Sequence, residues 1–203
     1  MAIRFEAAGA TDVGRQRKVN EDAFRLVDAD TLWILADGMG GHASGQVASN
    51  MAVEVIDDFM TRWCQTSDFE WPFEIMESRS FEENALVNAV RVANVRLYNR
   101  AQIDSECEGM GTTIVVMKHS PEHGLIIAHV GDSRCYRLRG QEFTQLTEDH
   151  SLVNHLMRFF HLSREQAQAR AGSNVIVRAV GLEDDVEPDL NVDQPRPGDV
   201  YLS

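Results

Sequence analysis

The stretch Leu32-Trp-Ile-Leu-Ala36, followed by Asp37-Gly-Met-Gly-Gly-His42, is the part of the chain from which its organisation can be read. The first five residues are apolar on both faces, which is typical of a strand buried in the middle of a sheet. The glycines that follow let the backbone turn sharply and approach a ligand closely. An aspartate at the end of such a strand is costly unless its charge is paired or binds a metal.

Three interpretations of this glycine-rich segment stay open at this point. It is a metal site centred on Asp37, a tight turn with a capping aspartate, or a cradle of backbone N–H groups for phosphate at a helix start. The segment has neither the Lys-Ser/Thr pair of a P-loop nor GxGxxG spacing, so nucleotide binding is poorly supported.

The flanking segments predict the first elements of the fold. Ala23 to Val27 and Leu32 to Ala36 predict a hairpin around the Asp28–Asp30 turn. Apolar residues at helical spacing predict a helix over Ser44 to Trp63. Ser80-Phe-Glu-Glu83 fits a capping box and predicts the start of a second long helix.

The second half of the chain alternates in the same way between strand and helix patterns. Ser151 to Ala171 is helical in pattern and contains a second capping box at Ser163. The order of elements predicts an α+β fold, with antiparallel sheets and helices on their faces. The predicted strands are Thr112 to Met117, Leu125 to Val130, Cys135 to Leu138, Glu142 to Leu146, Asn174 to Arg178, Leu190 to Val192 and Val200 to Ser203.

Composition limits the function. A chain of 203 residues predicts one domain over 1–203. The net charge of −13 argues against binding of nucleic acid or of an anionic membrane, because both need Lys and Arg. No signal peptide or membrane-length apolar run is visible. The chain has three widely spaced cysteines and no CxxC pair; they are Cys64, Cys107 and Cys135. This pattern predicts structural thiols in a reducing, cytoplasmic setting rather than a disulfide framework. A catalytic thiol is the weaker alternative.

Acidic residues recur next to predicted strands. Asn20-Glu21-Asp22 precedes the first strand, and Gly131-Asp132-Ser133-Arg134 follows a later one. Hard oxygen ligands of this kind select Mg²⁺ or Mn²⁺, and two such ions can activate a water for phosphoryl displacement. Arg17, four residues before Glu21, could clamp a phosphate through two hydrogen bonds. For Asp149, in Thr147-Glu-Asp-His-Ser151, a turn or a helix cap is the favoured interpretation.

Taken together, these motifs resemble those of the metal-dependent serine/threonine protein phosphatases, the protein phosphatase 2C or PPM family, in its bacterial form. The resemblance extends from Thr11 to Ser203. The motifs that carry it, in family order, are Thr11-Asp-Val-Gly14 with Arg17 and Asn20-Glu-Asp22, Asp37-Gly-Met-Gly-Gly-His42, Gly111-Thr-Thr113, Gly131-Asp-Ser-Arg134, Leu146-Thr-Glu-Asp-His-Ser151 and Arg178-Ala-Val-Gly181.

The resemblance implies a four-layer αββα sandwich and a centre of two or three Mg²⁺ or Mn²⁺ ions. Asp37 would bridge two ions, and the carbonyl of Gly38 would bind the second. Glu21 and Asp22 would act mostly through metal-bound waters, and Asp132 would belong to a third, weaker metal position. Arg17 would bind the substrate phosphate, and a water or hydroxide between the ions would attack phosphorus without a phosphoenzyme.

The resemblance also implies features outside the metal centre. A flap-like insert over about 152–172 would influence substrate access. The substrates would be phosphoserine and phosphothreonine proteins, an opposing serine/threonine kinase is expected, and the protein would act as a monomer without nucleic acid or membrane.

Two departures from the family pattern matter. Met39 occupies the position of a histidine proposed as a general acid in the eukaryotic branch, while His42, at the bacterial position, could be an acid or a helix cap. The later Ser-Asp-Gly and Asp-Asn motifs are absent, so the domain is expected to be C-terminally incomplete. The alternative is a catalytically impaired relative that binds phosphoproteins or other partners. A metal nuclease is disfavoured by the acidic charge and the lack of a basic groove.

Overall fold

The computed structural model describes residues 3–15, 17–27, 31–40, 44–172 and 175–203. The predicted turn at Asp28–Asp30 and the predicted acid His42 lie outside the described residues.

The described residues form two antiparallel sheets, and the larger is built around the apolar strand that ends at the glycine-rich segment. Its strands are β1 (Asp22–Val27), β2 (Leu32–Met39), β3 (Gly111–Thr112), β4 (Ile114–Ser120), β5 (Gly124–Val130) and β8 (Asp189–Asp193). They run in the order β1-β2-β4-β5-β8, with β3 paired to the end of β2, and β1 and β2 form the predicted antiparallel pair. Ile34 packs in one hydrophobic core and Trp33 in a second core on the opposite side of the sheet, which explains why both faces of β2 are apolar.

The smaller sheet is built from β6 (Tyr136–Arg139), β7 (Glu142–Gln145) and β9 (Val200–Leu202). Their order in the sheet is β7-β6-β9. Between the sheets lies a cluster that includes Trp33, Val115, Ile127 and Cys135, with Tyr201 packed against it. Burial raises the pKa of the Cys135 thiol to about 12, so this cysteine is a structural thiol rather than a nucleophile.

Two long helices cover the other face of the large sheet. They are α1 (Ser44–Gln65) and α2 (Phe81–Ile103), and they bury the main core of the protein against the sheet. Strand residues alternate between the two cores: Ile114 and Val116 face the helices, while Val115 faces the smaller sheet. The capping box at Ser80 forms as predicted, since its hydroxyl accepts from the Glu83 N–H and the Glu83 carboxylate accepts from the Ser80 N–H.

The insert consists of two short helices, α3 (Leu152–Phe160) and α4 (Arg164–Ala171), which pack against each other. The capping box at Ser163 starts α4. Among the described residues, no helix has both the length and the apolar character needed to cross a membrane.

The prediction of an α+β fold with antiparallel sheets and helices on their faces is confirmed. Two details differ. Strand β2 continues through Asp37 to Met39, because the end of β2 pairs with β3. The predicted strand at 174–178 is wrong over its described part: Ile176 makes one isolated bridge with Ser151, and the segment's backbone bonds go to the start of the insert instead of to a sheet edge.

Candidate metal centre

Two aspartates face each other where the first two strands meet. Asp22 opens β1 and Asp37 lies near the end of β2, and the antiparallel register pairs them directly. Side chains of directly opposed residues lie on the same face of a sheet, so the two carboxyl groups are neighbours. The pairing thus brings together two of the predicted metal ligands.

The electrostatics of Asp37 are those of a crowded carboxylate. Burial by surrounding protein atoms and the charge of Asp22 raise the pKa of Asp37, and the nearby charge of Asp132 acts in the same direction. The guanidinium of Arg17 opposes this shift. Four predicted site residues therefore interact at one place, although they come from three separate segments of the chain.

The backbone of Asp37 is held on both sides by the Thr112-Thr113 pair. The Thr112 hydroxyl and the Thr113 N–H donate to the Asp37 carbonyl at 3.0 and 2.9 Å. The Asp37 N–H donates to the Thr113 hydroxyl at 3.2 Å. These bonds fix the direction of the aspartate at the strand end.

Glycine at positions 38 and 45 is a steric requirement. A Cβ on Gly38 would overlap the carbonyl oxygen of Gly45, and a Cβ on Gly45 would overlap the carboxylate of Glu21. The Gly38 N–H also donates to the Glu21 carbonyl at 3.0 Å. The first turn of α1 is thereby pressed against the strand end that would offer the Gly38 carbonyl to an ion.

Arg17 and Glu21, four residues apart in a non-helical segment, form an ion pair at 2.8 Å. The Glu21 side chain is largely buried, whereas 61% of the Arg17 side chain is exposed. The bond uses Nη1 of the guanidinium. Arg17 therefore lies at the mouth of the acidic cluster, with a buried carboxylate orienting it.

Asp132 follows β5 on a turn that needs glycine before it. Gly131 has a φ of 104°, and a Cβ there would lie 2.7 Å from the Thr113 side chain. The next residue, Ser133, shares a hydrogen bond of 2.6 Å with the Thr113 hydroxyl. Thr113 thus joins the loop that carries Asp132 to the backbone of Asp37.

Three further residues support the cluster, although none of them is among the site residues predicted from the sequence. The Thr11 hydroxyl donates to the Asp22 carboxylate at 3.0 Å, and the Asn20 amide donates to Thr11 at 2.9 Å. Thr113 is the third. All three belong to motifs that the sequence shows, and membership of those motifs is the only feature of the sequence that could have identified them. Their contacts form only in the folded chain.

The prediction of a turn or cap role for Asp149 is wrong. The single Nε–H of Arg134 is shared between the two oxygens of the Asp149 carboxylate, at 2.8 and 3.0 Å, and Nη2 of Arg134 donates a second hydrogen bond. These hydrogen bonds raise the pKa of Arg134. The pair ties the segment before the insert to the loop after β5.

The donor set fits Mg²⁺ or Mn²⁺. It consists of carboxylate oxygens with a backbone carbonyl, and it contains repelling negative charges that a divalent cation would offset. The donors identified from the sequence, Asp22, Asp37, Gly38 and Asp132, include neither sulfur nor imidazole, which are common zinc ligands.

Comparison with known proteins extends these observations. A family model described as protein phosphatase 2C matches residues 12–182. The serine/threonine phosphatase stp of Listeria innocua is 40% identical over 187 residues, which are 90% of this chain and 69% of that protein.

Solved structures show the same fold. The PPM Ser-Thr phosphatase MsPP from Mycobacterium smegmatis, in complex with cacodylate, superimposes with a TM-score of 0.77 at 28% identity, covering 98% of this chain and 77% of that one. The catalytic domain of the serine/threonine protein phosphatase PstP, in complex with two manganese ions, gives a TM-score of 0.69 at 33% identity, with coverage of 93% and 71%.

Proposed function

The chain belongs to the protein phosphatase 2C family, and from that premise we propose which of its residues carry out the family's reaction. The protein is a metal-dependent serine/threonine protein phosphatase that uses Mg²⁺ or Mn²⁺. The observation that supports the residue assignment is the meeting of Asp22, Asp37 and Asp132 beside Arg17.

The metal-binding residues in this proposal are Asp37, the Gly38 carbonyl, Asp22 and Asp132, with Glu21 behind them. Divalent cations held there would supply an activated water for in-line displacement at phosphorus and would screen the charge of the phosphate. The chain's own part is orientation. Thr112 and Thr113 hold the backbone of Asp37, and Thr11 orients the carboxylate of Asp22.

Arg17 binds the substrate phosphate in this proposal. Its guanidinium is exposed at the edge of the acidic cluster, and its bond to Glu21 uses one terminal nitrogen. The planar fork of donors on arginine matches phosphate oxygens better than the single ammonium of lysine does. A phosphate bound there would lie beside the carboxylates that bind the ions.

Five features remain predictions from the sequence. They are a proton-donating role for His42, a flap over about 152–172, an opposing kinase, a monomeric state and a cytoplasmic location. The substrates are phosphoproteins. The alternative of a catalytically impaired binding module is not favoured, because the matched relatives are named phosphatases and one structural neighbour holds two manganese ions.

The experiment that tests the assignment uses protein expressed from its complete natural reading frame. We expect Asp37→Asn to abolish Mn²⁺ binding in titration calorimetry and to lower phosphopeptide hydrolysis by more than about 100-fold. Asp58→Asn, on the exposed side of α1, is the matched control and should behave like wild type. Retained hydrolysis in Asp37→Asn would remove that residue from the centre of the mechanism.

A further inference from the structure

The histidine in the motif Leu146-Thr-Glu-Asp-His-Ser151 has no role in the proposed reaction, yet it is buried beside the Asp132 loop. His150 is 8% exposed and makes two hydrogen bonds with Gly131, the residue before Asp132. The His150 N–H donates to the Gly131 carbonyl at 2.9 Å. The Gly131 N–H donates to Nδ1 of the His150 ring at 3.1 Å. Gly131 is therefore held through both of its backbone polar groups.

These two bonds restrict the chemistry of the ring. Since Nδ1 accepts a hydrogen bond, it carries no proton, and a neutral ring must then have its proton on Nε2. Nε2 lies 3.4 Å from the carboxylate of Asp189, which can accept a hydrogen bond from the Nε2–H group. Burial lowers the pKa of His150, which keeps the ring neutral. The Gly131 N–H and the Asp189 carboxylate thus favour the same tautomer, in which Nδ1 accepts from Gly131.

Ring packing fixes the orientation of the same side chain. The His150 ring stacks on that of His129 with centroids 4.8 Å apart. Nε2 of His129 lies 2.9 Å from the Glu148 carbonyl, so the second ring is tied to the same segment. Neighbouring contacts extend this pairing, since Asp149 binds Arg134 and the Thr147 hydroxyl accepts from the Cys135 N–H.

The cluster does not need a cation of its own. His129, His150 and Asp189 have ligand atoms within 4.8 Å of one another, a set of residue types that can bind a metal. Arg178, however, already donates to Asp189 at 2.6 Å and lies 3.4 Å from Nε2 of His150. The guanidinium supplies the positive charge that a metal would otherwise bring, which makes the cluster a structural support.

We infer that His150 is a positioning residue for the metal centre: by holding Gly131 it sets the direction in which Asp132 presents its carboxylate. Gly131 is also confined on its other side, where Thr113 leaves no room for a Cβ. The inference rests on the proposed role of Asp132 as a metal ligand. It predicts that a substitution of His150 changes metal binding only through its effect on Asp132.

Two substitutions of His150 distinguish the hydrogen-bond acceptor at Nδ1 from the other properties of the ring. His150→Asn places an amide oxygen near the position of Nδ1, and that oxygen can still accept from Gly131. His150→Gln reaches towards the position of Nε2 and leaves the Gly131 N–H without an acceptor. His123→Gln, in the half-exposed turn at the other end of β5, is the matched control.

The first readout needs neither metal nor activity. In metal-free protein, amide hydrogen exchange at Gly131 should be about tenfold faster in His150→Gln, the factor that accompanies the loss of one hydrogen bond. His150→Asn and His123→Gln should exchange at the wild-type rate. Equal exchange in His150→Gln and wild type would overturn the inference.

The second readout is the Mn²⁺ concentration for half-maximal hydrolysis of p-nitrophenyl phosphate, measured with the complete protein. We expect about a tenfold rise in His150→Gln and little change in His150→Asn. In an Asp132→Asn background the same substitution should add nothing, because its path to the ions is gone. An additive effect in that background would overturn the inference.

These outcomes distinguish a failure of the inference about His150 from a failure of the proposed metal-binding role of Asp132. If Asp132→Asn changes the Mn²⁺ dependence but His150→Gln does not, the inference fails while the proposed metal centre stands. If Asp132→Asn itself leaves the Mn²⁺ dependence unchanged, the proposed role of Asp132 fails, and the inference fails with it.

A second variant guards against failure of His150→Gln to fold. Asp189→Ala removes the acceptor for the Nε2 proton and leaves Arg178 as the polar neighbour of Nε2, so the ring can place its proton on Nδ1, where it can no longer accept from Gly131. Gly131 exchange should then accelerate in the same direction. Unchanged exchange would overturn the inference.

Discussion

Asp22 and Asp37 are opposed on antiparallel strands, and their carboxyl groups are close enough to share a hydrogen bond. Two carboxylates cannot both be charged at this separation without cost. Their juxtaposition is tolerable if a cation, a proton or Arg17 offsets the repulsion. The strand pairing therefore creates a repulsion that a divalent cation of the kind the family uses would relieve.

The first prediction concerns stability without metal. Asp37→Asn removes one of the repelling charges, so the metal-free variant should melt at a higher temperature than the wild type. It should also lose the increase in Tm that Mn²⁺ gives the wild type. Thermal unfolding in chelator and in Mn²⁺ measures both effects. A lower Tm in chelator would contradict the repulsion argument, and Asp58→Asn is the control.

The second prediction concerns substrate binding. Arg17→Lys keeps the charge but loses the fork of donors, so the KM for a phosphopeptide should rise by about tenfold, with a smaller change in kcat. Steady-state kinetics at saturating Mn²⁺ measures this split. Arg15→Ala, at an exposed neighbouring position, should leave both constants unchanged. A fall in kcat at unchanged KM would assign Arg17 to the chemical step instead.

The third prediction concerns the buried side-chain amide of Asn94, which connects α2 to the segment 181–183. The Asn94 side chain accepts from the Gly181 N–H at 2.7 Å and donates to the Glu183 carbonyl at 3.0 Å. Asn94→Ala leaves a buried donor unpaired and should cost about 1–3 kcal/mol in urea unfolding. Asn99→Ala, exposed on the same helix, should cost less than about 0.5 kcal/mol.

The fourth prediction is a pH dependence. Hydrogen bonds from Arg139 hold the pKa of Asp199 below its usual value of about 3.9. A lowered pKa in the folded state means that this stabilisation is present above the usual value and is lost as the pH falls through the folded value. Asp199→Asn should therefore lower Tm at pH 7, and the gap to the wild type should narrow below about pH 4.

The control for this pH series is Asp184→Asn, on an exposed loop. It should match the wild-type Tm at neutral pH. The Tm difference between Asp199→Asn and the wild type could instead stay constant as the pH falls. That result would show that the side chain contributes through its shape and not through its charge.

Much of the fold was predictable because its signals are local. The apolar run before Asp37 identified β2, and the capping boxes at Ser80 and Ser163 located the starts of α2 and α4 to the residue. Strand alternation and helical spacing depend on neighbours within a few positions. Candidate metal ligands were likewise visible, because acidic residues at strand ends recur in short motifs.

Segment 175–178 shows where local signals fail. Its β-branched residues favour a strand, but Val177 donates to the carbonyl of His150 and Val175 accepts from Leu152. The competing partners are about 25 residues away in the chain, and no local pattern reports them. Asp149 was misread for the same reason, since its partner Arg134 approaches only when the two segments pair.

The sequence alone thus identified the elements, the family motifs and the acidic residues of the site, since each is encoded in residue types and short spacings. Tertiary structure decided how those residues are held: that Asp22 lies against Asp37, that Thr113 joins Asp37 to the loop of Asp132, and that His150 holds Gly131. These relationships are hydrogen bonds and repulsions between groups separated by about 15 to 76 residues, and their energies depend on distances that only the packed chain sets.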